Sequence, residues 1–175
     1  MLSEMRIFAV DPGTEKTGWA FAIGNHLQEF GVLQVAQEAG LSPTVYAGQD
    51  TADPWHRCYV LHLWLKHKLY ELEVGAVGIE LPTHERGNPH TDRVIAGAFM
   101  SAYLAARSVN AMVEIFRPAE VKATGYHKKA RRDATLLARE HLKKGLVSED
   151  EADALGLWQA TWAKLLERYR LEGHG

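Results

Sequence analysis

The chain begins with short apolar runs separated by polar turns. Residues 6–11, 18–25 and 28–35 are rich in Val, Ile, Phe and Ala, and turns that contain Gly, Asn or Lys separate them. Short runs of this composition between turn residues are typical of β-strands. We therefore predict three successive strands that pair antiparallel.

After residue 35 the pattern changes to helical spacing. A loop rich in Gly, Pro, Ser and Thr is predicted at residues 39–54, and apolar side chains then recur at helical intervals from Trp55 to Leu72. The remaining predicted elements are a strand at 74–80, a helix at 95–106, a short strand at 113–116, and helices at 129–144 and 148–170. Three strands in a meander followed by alternating helices and strands predict an α/β fold, with a mixed five-stranded sheet flanked by helices.

Composition limits the number of domains and the compartment. The chain has 175 residues, of which 46% are hydrophobic, and a single cysteine. This length is enough for one globular domain with a core, so residues 1–175 are expected to form a single domain. No apolar run approaches the roughly 20 residues that cross a bilayer, and we find no signal-peptide pattern. We expect a cytoplasmic protein without a membrane partner.

Two of the predicted strands end on an acidic residue. Asp11 ends the first strand and Glu80 ends the fourth. If these strands are parallel neighbours, the two side chains emerge side by side at the carboxyl edge of the sheet, where α/β proteins commonly bind ligands. Glu80 has apolar neighbours on both sides, so an acid without a function would interrupt an otherwise buried run.

A second pair of acids begins the last predicted helix. Ser148 and Glu151 form a Ser-x-x-Glu capping box, which predicts that the helix starts at Ser148. Asp150 and Asp153 are three residues apart and therefore lie on one face of the first turns. Because Asp153 precedes Ala-Leu-Gly-Leu, we expect it on the buried side of the helix.

Four carboxylates that converge in a partly buried site repel one another, so the arrangement requires cations. Hard oxygen ligands favour a partly hydrated Mg²⁺ or Mn²⁺. Single acids also have simpler explanations. Asp11 before Pro12 and Gly13 can form a turn, and Asp150 can stabilise the helix N-terminus. The four acids taken together favour the metal site.

Positive charge is concentrated in one segment. From Arg117 to Lys144 there are nine Lys or Arg residues and three acids, although the whole chain has a net charge of −2. Such a cluster is either a contact surface for nucleic acid or the solvated face of a helix. Its charge alone does not decide between the two.

In their order and spacing, these motifs resemble the RuvC family of Holliday junction resolvases. They are Asp11-Pro12-Gly13, Thr17-Gly18-Trp19-Ala20, Ile79-Glu80, and Asp-x-x-Asp-Ala-Leu at residues 150–155. Pro118 to Lys122 and the basic segment after Gly125 are similar to the family's region between its last strand and last helix. The resemblance extends from about residue 6 to residue 160 and implies the ribonuclease H-like fold. The compact size would suit a phage-encoded member.

The resemblance also implies a function. It makes Asp11, Glu80, Asp150 and Asp153 the catalytic acids, which bind two Mg²⁺ ions that Mn²⁺ can replace. The expected reaction is two-metal hydrolysis of a DNA phosphodiester in a four-way junction, leaving a 5′ phosphate and a 3′ hydroxyl. The expected contacts to DNA phosphates are Lys122, Lys128, Lys129, Arg131 and Arg132.

One stretch departs from the family pattern. Members usually have an aromatic residue after the strand-end glutamate that helps to open the junction centre. This chain has Leu81-Pro82-Thr83-His84-Glu85-Arg86, which contains no aromatic. The resemblance therefore assigns no residue here to the junction centre, and the sequence specifies no partner helicase.

Three alternatives remain open at this point. The substrate could be another branched DNA or an RNA, because such substrates differ mainly in shape. The protein could also bind junctions without cleaving them. The ATP-binding domains of the actin and sugar-kinase group open with a similar Asp-x-Gly and Thr-Gly pattern, but they hold nucleotide between two such domains, for which this chain is short.

Symmetric cleavage of a four-way junction predicts a homodimer, because one active site reaches only one of the two equivalent strands. The predicted helix at 95–106 carries small residues that would let a partner helix approach closely. They are Ala96, Gly97, Ala98, Ser101, Ala102, Ala105 and Ala106, and the apolar area would come from Phe99, Met100, Tyr103 and Leu104 on the same helix. The alternative is that these residues pack the helix onto its own sheet.

Overall fold

The centre of the protein is a sheet of five strands in the order β3-β2-β1-β4-β5. The structure, a computed structural model, describes residues 2–41, 53–82, 89–123 and 148–173. The strands are β1 Arg6–Asp11, β2 Thr17–Ile23, β3 His26–Leu33, β4 Ala76–Glu80 and β5 Met112–Phe116. β1, β2 and β3 pair antiparallel, whereas β4 is parallel to β1 and β5 is parallel to β4. The predicted mixed five-stranded α/β sheet is confirmed.

Helices cover both faces of this sheet. In the described part of the chain they are α1 Val35–Leu41, α2 Pro54–Glu71, α3 Pro89–Ser108, α4 Pro118–Ala123 and α5 Glu149–Leu171, and a short 3-10 turn, Leu2–Glu4, precedes β1. Pro54 and Pro89 each open a helix, at a position where the N–H that proline lacks would have no helical partner. No helix among these residues is both long and apolar enough to cross a membrane.

The two faces of the sheet bury different layers. In β1, Ile7 and Ala9 belong to the core that α5 closes, whereas Phe8 and Val10 belong to the core that α2 and α3 close. Side chains alternate between the faces of a strand, so the odd-numbered positions of β1 point toward α5. The next odd-numbered position is Asp11, which therefore belongs to the α5 side.

Most of the predicted elements are confirmed with shifted bounds. β3 ends at Leu33 instead of residue 35, because Val35 already belongs to α1, and α1 extends into the region predicted as a loop. A helix of seven residues is too short to show a clear apolar period. α3 begins more than one turn before the predicted residue 95, where polar residues carry no period. The predicted helix at 129–144 lies outside the described residues.

Most of the small residues of α3 are buried and do not form the predicted surface for a partner helix. Ala98, Ala102, Ala105 and Ala106 are almost fully buried in the core that α2 and α3 share with the sheet. The alternative explanation is therefore correct for these positions, because small side chains let α3 lie close to its own sheet. The exposed large apolar residues of the helix are Met100 and Leu104, whereas Phe99 and Tyr103 pack against this core.

Candidate active site

The turn after β1 is closed by Thr17. The N–H of Gly13 donates to Thr17 Oγ1 at 3.1 Å, and the Thr17 hydroxyl donates to the Gly13 carbonyl at 2.9 Å. Thr17 is completely buried. These two hydrogen bonds fix the backbone immediately after Asp11 and lead it directly into β2.

A second contact ties this turn to the α2 layer. Arg57 of α2 forms an ion pair with Glu15 in the turn, and the carbonyl of Glu15 accepts a hydrogen bond from the N–H of Ala36 at the start of α1. The turn is thus held from inside by Thr17 and from outside by α1 and α2. Sequence reasoning missed this ion pair, since nothing in the local pattern links residues 15 and 57.

Asp11 and Glu80 lie at the same edge of the sheet. β1 and β4 are parallel, and their last paired residues are Val10 and Ile79. Asp11 and Glu80 follow this pair directly and end their strands. Both are partly buried, and the alternation of side chains puts both on the α5 side. The structure therefore brings together the two strand-end acids that the sequence singled out.

The start of α5 follows the predicted capping box. Ser148 Oγ accepts a hydrogen bond from the N–H of Glu151 at 3.2 Å, and the Glu151 carboxylate accepts one from the N–H of Ser148 at 2.8 Å. Asp150 is partly buried, but Asp153 is exposed. The expectation that Asp153 lies on the buried side is wrong, because Ala152 and Ala154 are the residues that turn toward the sheet.

Three of the four acids interact electrostatically. The pKa of Asp11 is raised from its ordinary value of 3.8 to about 6, chiefly by burial and then by the negative charges of Asp153 and Asp150. Burial disfavours the charged carboxylate, and nearby like charges disfavour it further. Residues from opposite ends of the chain therefore converge on Asp11, and strand register brings Glu80 to the same edge.

The chemistry of this donor set fits a hard divalent cation. Carboxylate oxygens are the ligands that Mg²⁺ and Mn²⁺ prefer, and a bound cation would offset the repulsion that raises the pKa of Asp11. Within residues 2–41, 53–82, 89–123 and 148–173, however, no group of three or more His, Cys, Asp or Glu side chains is arranged to hold a metal ion. Asp150 and Asp153 lie within electrostatic range of Asp11.

The predicted DNA contacts are largely outside the described structure. Lys122 lies in α4, which follows β5. Lys128, Lys129, Arg131 and Arg132 fall outside the described residues. So do residues 83–88, which include most of the stretch after Glu80 that departs from the family pattern. Their assignment as phosphate contacts stays a prediction.

A buried acid that sequence reasoning missed ties α5 to the edge of the sheet. Glu114 of β5 is 2% exposed, and its carboxylate forms ion pairs with Lys164 at 3.0 Å and Arg168 at 2.7 Å. Lys164 also lies 4.9 Å from the centre of the Phe116 ring. The signal was an acid within the apolar strand Met112–Phe116, the same signal that drew attention to Glu80.

Comparison with known proteins gives a fold but no close relative. No protein-family model matches the sequence, and no curated protein matches it. Thermus thermophilus RuvC in complex with a Holliday junction substrate is similar in structure, with a TM-score of 0.68 and 18% identity over 92% of this chain and 96% of that chain. Another structure of Thermus thermophilus RuvC has a TM-score of 0.66 and 20% identity, again over 92% of this chain and 96% of that chain.

The yeast mitochondrial Holliday junction resolvase Ydc2 is similar to the same degree. It gives a TM-score of 0.65 and 18% identity, over 95% of this chain and 82% of that chain. At these identities the likeness concerns the fold. The predicted ribonuclease H-like fold of the RuvC type is confirmed.

Proposed function

We propose that this protein is a Mg²⁺-dependent endonuclease that resolves four-way DNA junctions by paired symmetric nicks. The observation that carries the proposal is the convergence of Asp150 and Asp153 on the buried Asp11, whose pKa is raised to about 6 first by burial and then by the charges of Asp153 and Asp150. Carboxylates that repel one another at the ends of strands lower the stability of the fold, and such clusters are commonly retained for function. The fold in which the cluster occurs is shared with a RuvC that was solved in complex with a Holliday junction substrate and with a Holliday junction resolvase.

Asp11, Glu80, Asp150 and Asp153 would hold two divalent cations, normally Mg²⁺, with Mn²⁺ as a substitute. When bound, the cations supply an activated water as nucleophile and stabilise the charge on the leaving 3′ oxygen. The protein itself positions the acids. Asp11 and Glu80 are fixed by the paired ends of β1 and β4, and Asp150 and Asp153 by the capped first turns of α5.

The basic residues between β5 and α5 would bind the DNA substrate. Lys122, Lys128, Lys129, Arg131 and Arg132 lie between β5 and α5 in the chain, and α5 carries two of the acids. Lys and Arg that neutralise phosphates contribute affinity for all DNA shapes. Preference for a four-way junction would then come from the spacing of two active sites.

The proposal is tested by replacing acids with amides. Asp11→Asn and Glu80→Gln should each lower the cleavage rate of a synthetic four-way junction by at least about 100-fold, because a misplaced or missing cation ligand removes transition-state stabilisation. Junction binding should persist or strengthen, since a negative charge near phosphate is removed. Glu149→Gln is the matched control, because Glu149 is an exposed acid next to Asp150 in the first turn of α5.

The substrates should include a four-way junction, a fork, a plain duplex and a branched RNA, each with Mg²⁺, Ca²⁺ or EDTA. Ca²⁺ should support binding without cleavage, because its longer and looser coordination misplaces the water. Normal cleavage by Asp11→Asn would show that the site is wrongly assigned. Wild-type protein that binds junctions but never cuts them would identify a binding module, and preferred cleavage of forks or RNA would change the substrate.

The proposed function requires two copies, and an exposed apolar surface favours their association. Trp55, Tyr59 and Leu63 of α2 and Met100 and Leu104 of α3 are between 37% and 51% exposed. They recur at four-residue intervals, and Trp55 lies against Gly97 of α3, so the two stripes are neighbours. We call these five residues the α2/α3 apolar patch. Patches of this kind on soluble proteins mark interaction sites.

Leu104→Glu should therefore convert a dimer into a monomer by light scattering and leave single nicks in a junction. Tyr70→Glu is the control, because Tyr70 is a 77% exposed aromatic residue of α2 outside the patch. A wild-type protein that stays monomeric on the junction and cuts one strand would overturn both the dimer and the resolvase assignment. It would leave a nicking nuclease of the same fold.

A further inference from the structure

Gly18 of β2 lies against the backbone of the helix that carries two of the acids. A Cβ atom added at Gly18 would be 2.1 Å from the carbonyl oxygen of Asp150 and 2.8 Å from its carbonyl carbon. Gly18 is also the residue that pairs with Asp11 across β1 and β2. The first turn of α5 and the end of β1 are thus in contact with one glycine.

Space, and not backbone conformation, requires a glycine at this position. Gly24 and Gly173 adopt the positive φ angles that favour glycine, and Gly18 does not. Gly75 has a different environment, because a Cβ there would meet the sulfur of Met5, the end of a flexible side chain, at 2.9 Å. At Gly18 the obstacle is helix backbone, which moves only if the whole first turn moves.

The displacement that a side chain would cause can be derived from the distances. Ordinary van der Waals contact begins at about 3.4 Å, whereas the added Cβ would lie 2.1 Å from the oxygen. The first turn of α5 would therefore move away from β2 by about 1 Å. Misplacement of this size in a catalytic arrangement lowers the rate by about 100-fold, and metal sites tolerate only about 0.5 Å.

We propose that Gly18 is a positioning residue that sets the distance between Asp11 and the acids of α5. The proposal rests on the proposed function, in which these acids bind the cations. Gly18 contacts neither cation nor substrate. It acts by letting the backbone of Asp150 approach the strand that pairs with Asp11.

The test measures Mn²⁺ binding directly, by calorimetry and by the electron paramagnetic resonance of free Mn²⁺, alongside cleavage. Gly18→Ala should weaken Mn²⁺ binding at least tenfold and slow cleavage at low Mn²⁺, and higher Mn²⁺ should restore part of the rate. Junction affinity in EDTA should stay within about twofold of wild type, because the phosphate contacts are elsewhere. Asp11→Asn is titrated in parallel as the reference for loss of a ligand.

Gly97→Ala is the matched control for steric insertion. A Cβ at Gly97 would meet Cys58 Sγ and the Trp55 ring, each at 3.0 Å, in the α2 and α3 layer on the other side of the sheet. This variant should lose stability without a change in Mn²⁺ affinity. The combination of Gly18→Ala with Asp150→Glu should bind Mn²⁺ more tightly than Gly18→Ala alone, because the longer side chain recovers reach.

The outcomes separate this proposal from the proposed function. Normal Mn²⁺ affinity in Gly18→Ala with reduced affinity in Asp11→Asn would overturn the positioning role only. Normal affinity in both variants would overturn the cation site itself, and the positioning role with it. If Gly18→Ala stays unfolded at 10 °C with a stabilising osmolyte, Gly18 is needed for the fold as a whole and the positioning role is overturned as well.

Discussion

Replacing Asp11 by Asn should stabilise the protein when divalent cations are removed, although it deletes an acid that we propose to be catalytic. In the folded protein the pKa of Asp11 is raised from 3.8 to about 6 by burial and by Asp153 and Asp150. A raised carboxyl pKa means that ionisation is less favourable in the folded chain than in the unfolded chain. The free energy of unfolding therefore falls as the pH rises from about 4 to about 6 and stays lower above that.

The size of the effect follows from the shift. A difference of roughly 2 pKa units corresponds to about 3 kcal/mol at most. Asn has the shape of Asp without its charge, so Asp11→Asn avoids this cost. Its advantage over wild type should be small near pH 4 and approach about 3 kcal/mol above pH 7. Urea unfolding in EDTA, followed by circular dichroism at pH values from about 4 to about 8, measures the difference.

Mg²⁺ should reverse the order of stability. A cation present at a concentration 100 times its dissociation constant raises the free energy of unfolding of the protein that binds it by about 2.7 kcal/mol. Asp11→Asn should lose much of this stabilisation, because it lacks one of the cation ligands. Asp53→Asn is the control, because Asp53 caps α2 on the other side of the sheet and Asn caps a helix equally well. An Asp11→Asn advantage that does not change with pH would refute the reasoning, since Asp11 would then not be disfavoured as an anion.

Two further predictions concern charges outside the acid cluster. Changing Lys128 and Lys129 to Ala should weaken binding to all DNA shapes. The slope of log affinity against log salt concentration should fall by about one unit for each phosphate that is no longer neutralised. Unchanged affinity and slope, measured by fluorescence anisotropy, would indicate a solvated helix face. Glu114→Gln should lower the free energy of unfolding by about 1–3 kcal/mol, because two cationic side chains of α5 lose their buried partner. A decrease below about 0.5 kcal/mol in urea unfolding would contradict a role of Glu114 in docking α5.

The sequence predicted the parts of the fold that local pattern determines. Asp11 and Glu80 each follow an apolar run whose period and length are those of a buried strand, so their positions at strand ends could be derived from neighbouring residues. The capping box at Ser148 is also local, since both of its hydrogen bonds lie within four residues. The ligand that these acids bind cannot be derived from neighbouring residues, and their role as cation ligands stays a prediction.

The parts that the sequence did not predict depend on how α5 meets the sheet. Asp153 was expected to be buried because apolar residues follow it, but the rotation of the helix turns Ala152 and Ala154 inward instead. Glu114 finds its partners about 50 residues later in the chain. Neither the rotation of a helix nor a distant ion pair can be derived from the period of a single segment.

Gly18 and Gly78 show why a rule based on local propensity fails at this interface. Glycine within a strand lowers its stability by roughly 0.5–1 kcal/mol relative to Ala. Yet a Cβ at Gly78 would lie 1.9 Å from Thr161 Oγ1, about three turns along α5 from the contact at Gly18. Glycine lowers strand stability at both positions, but it allows α5 to lie close to the sheet at two points. A substitution that improves β-propensity at Gly18 would therefore move Asp150 away from Asp11, so local stability and the geometry of the acids oppose each other at this residue.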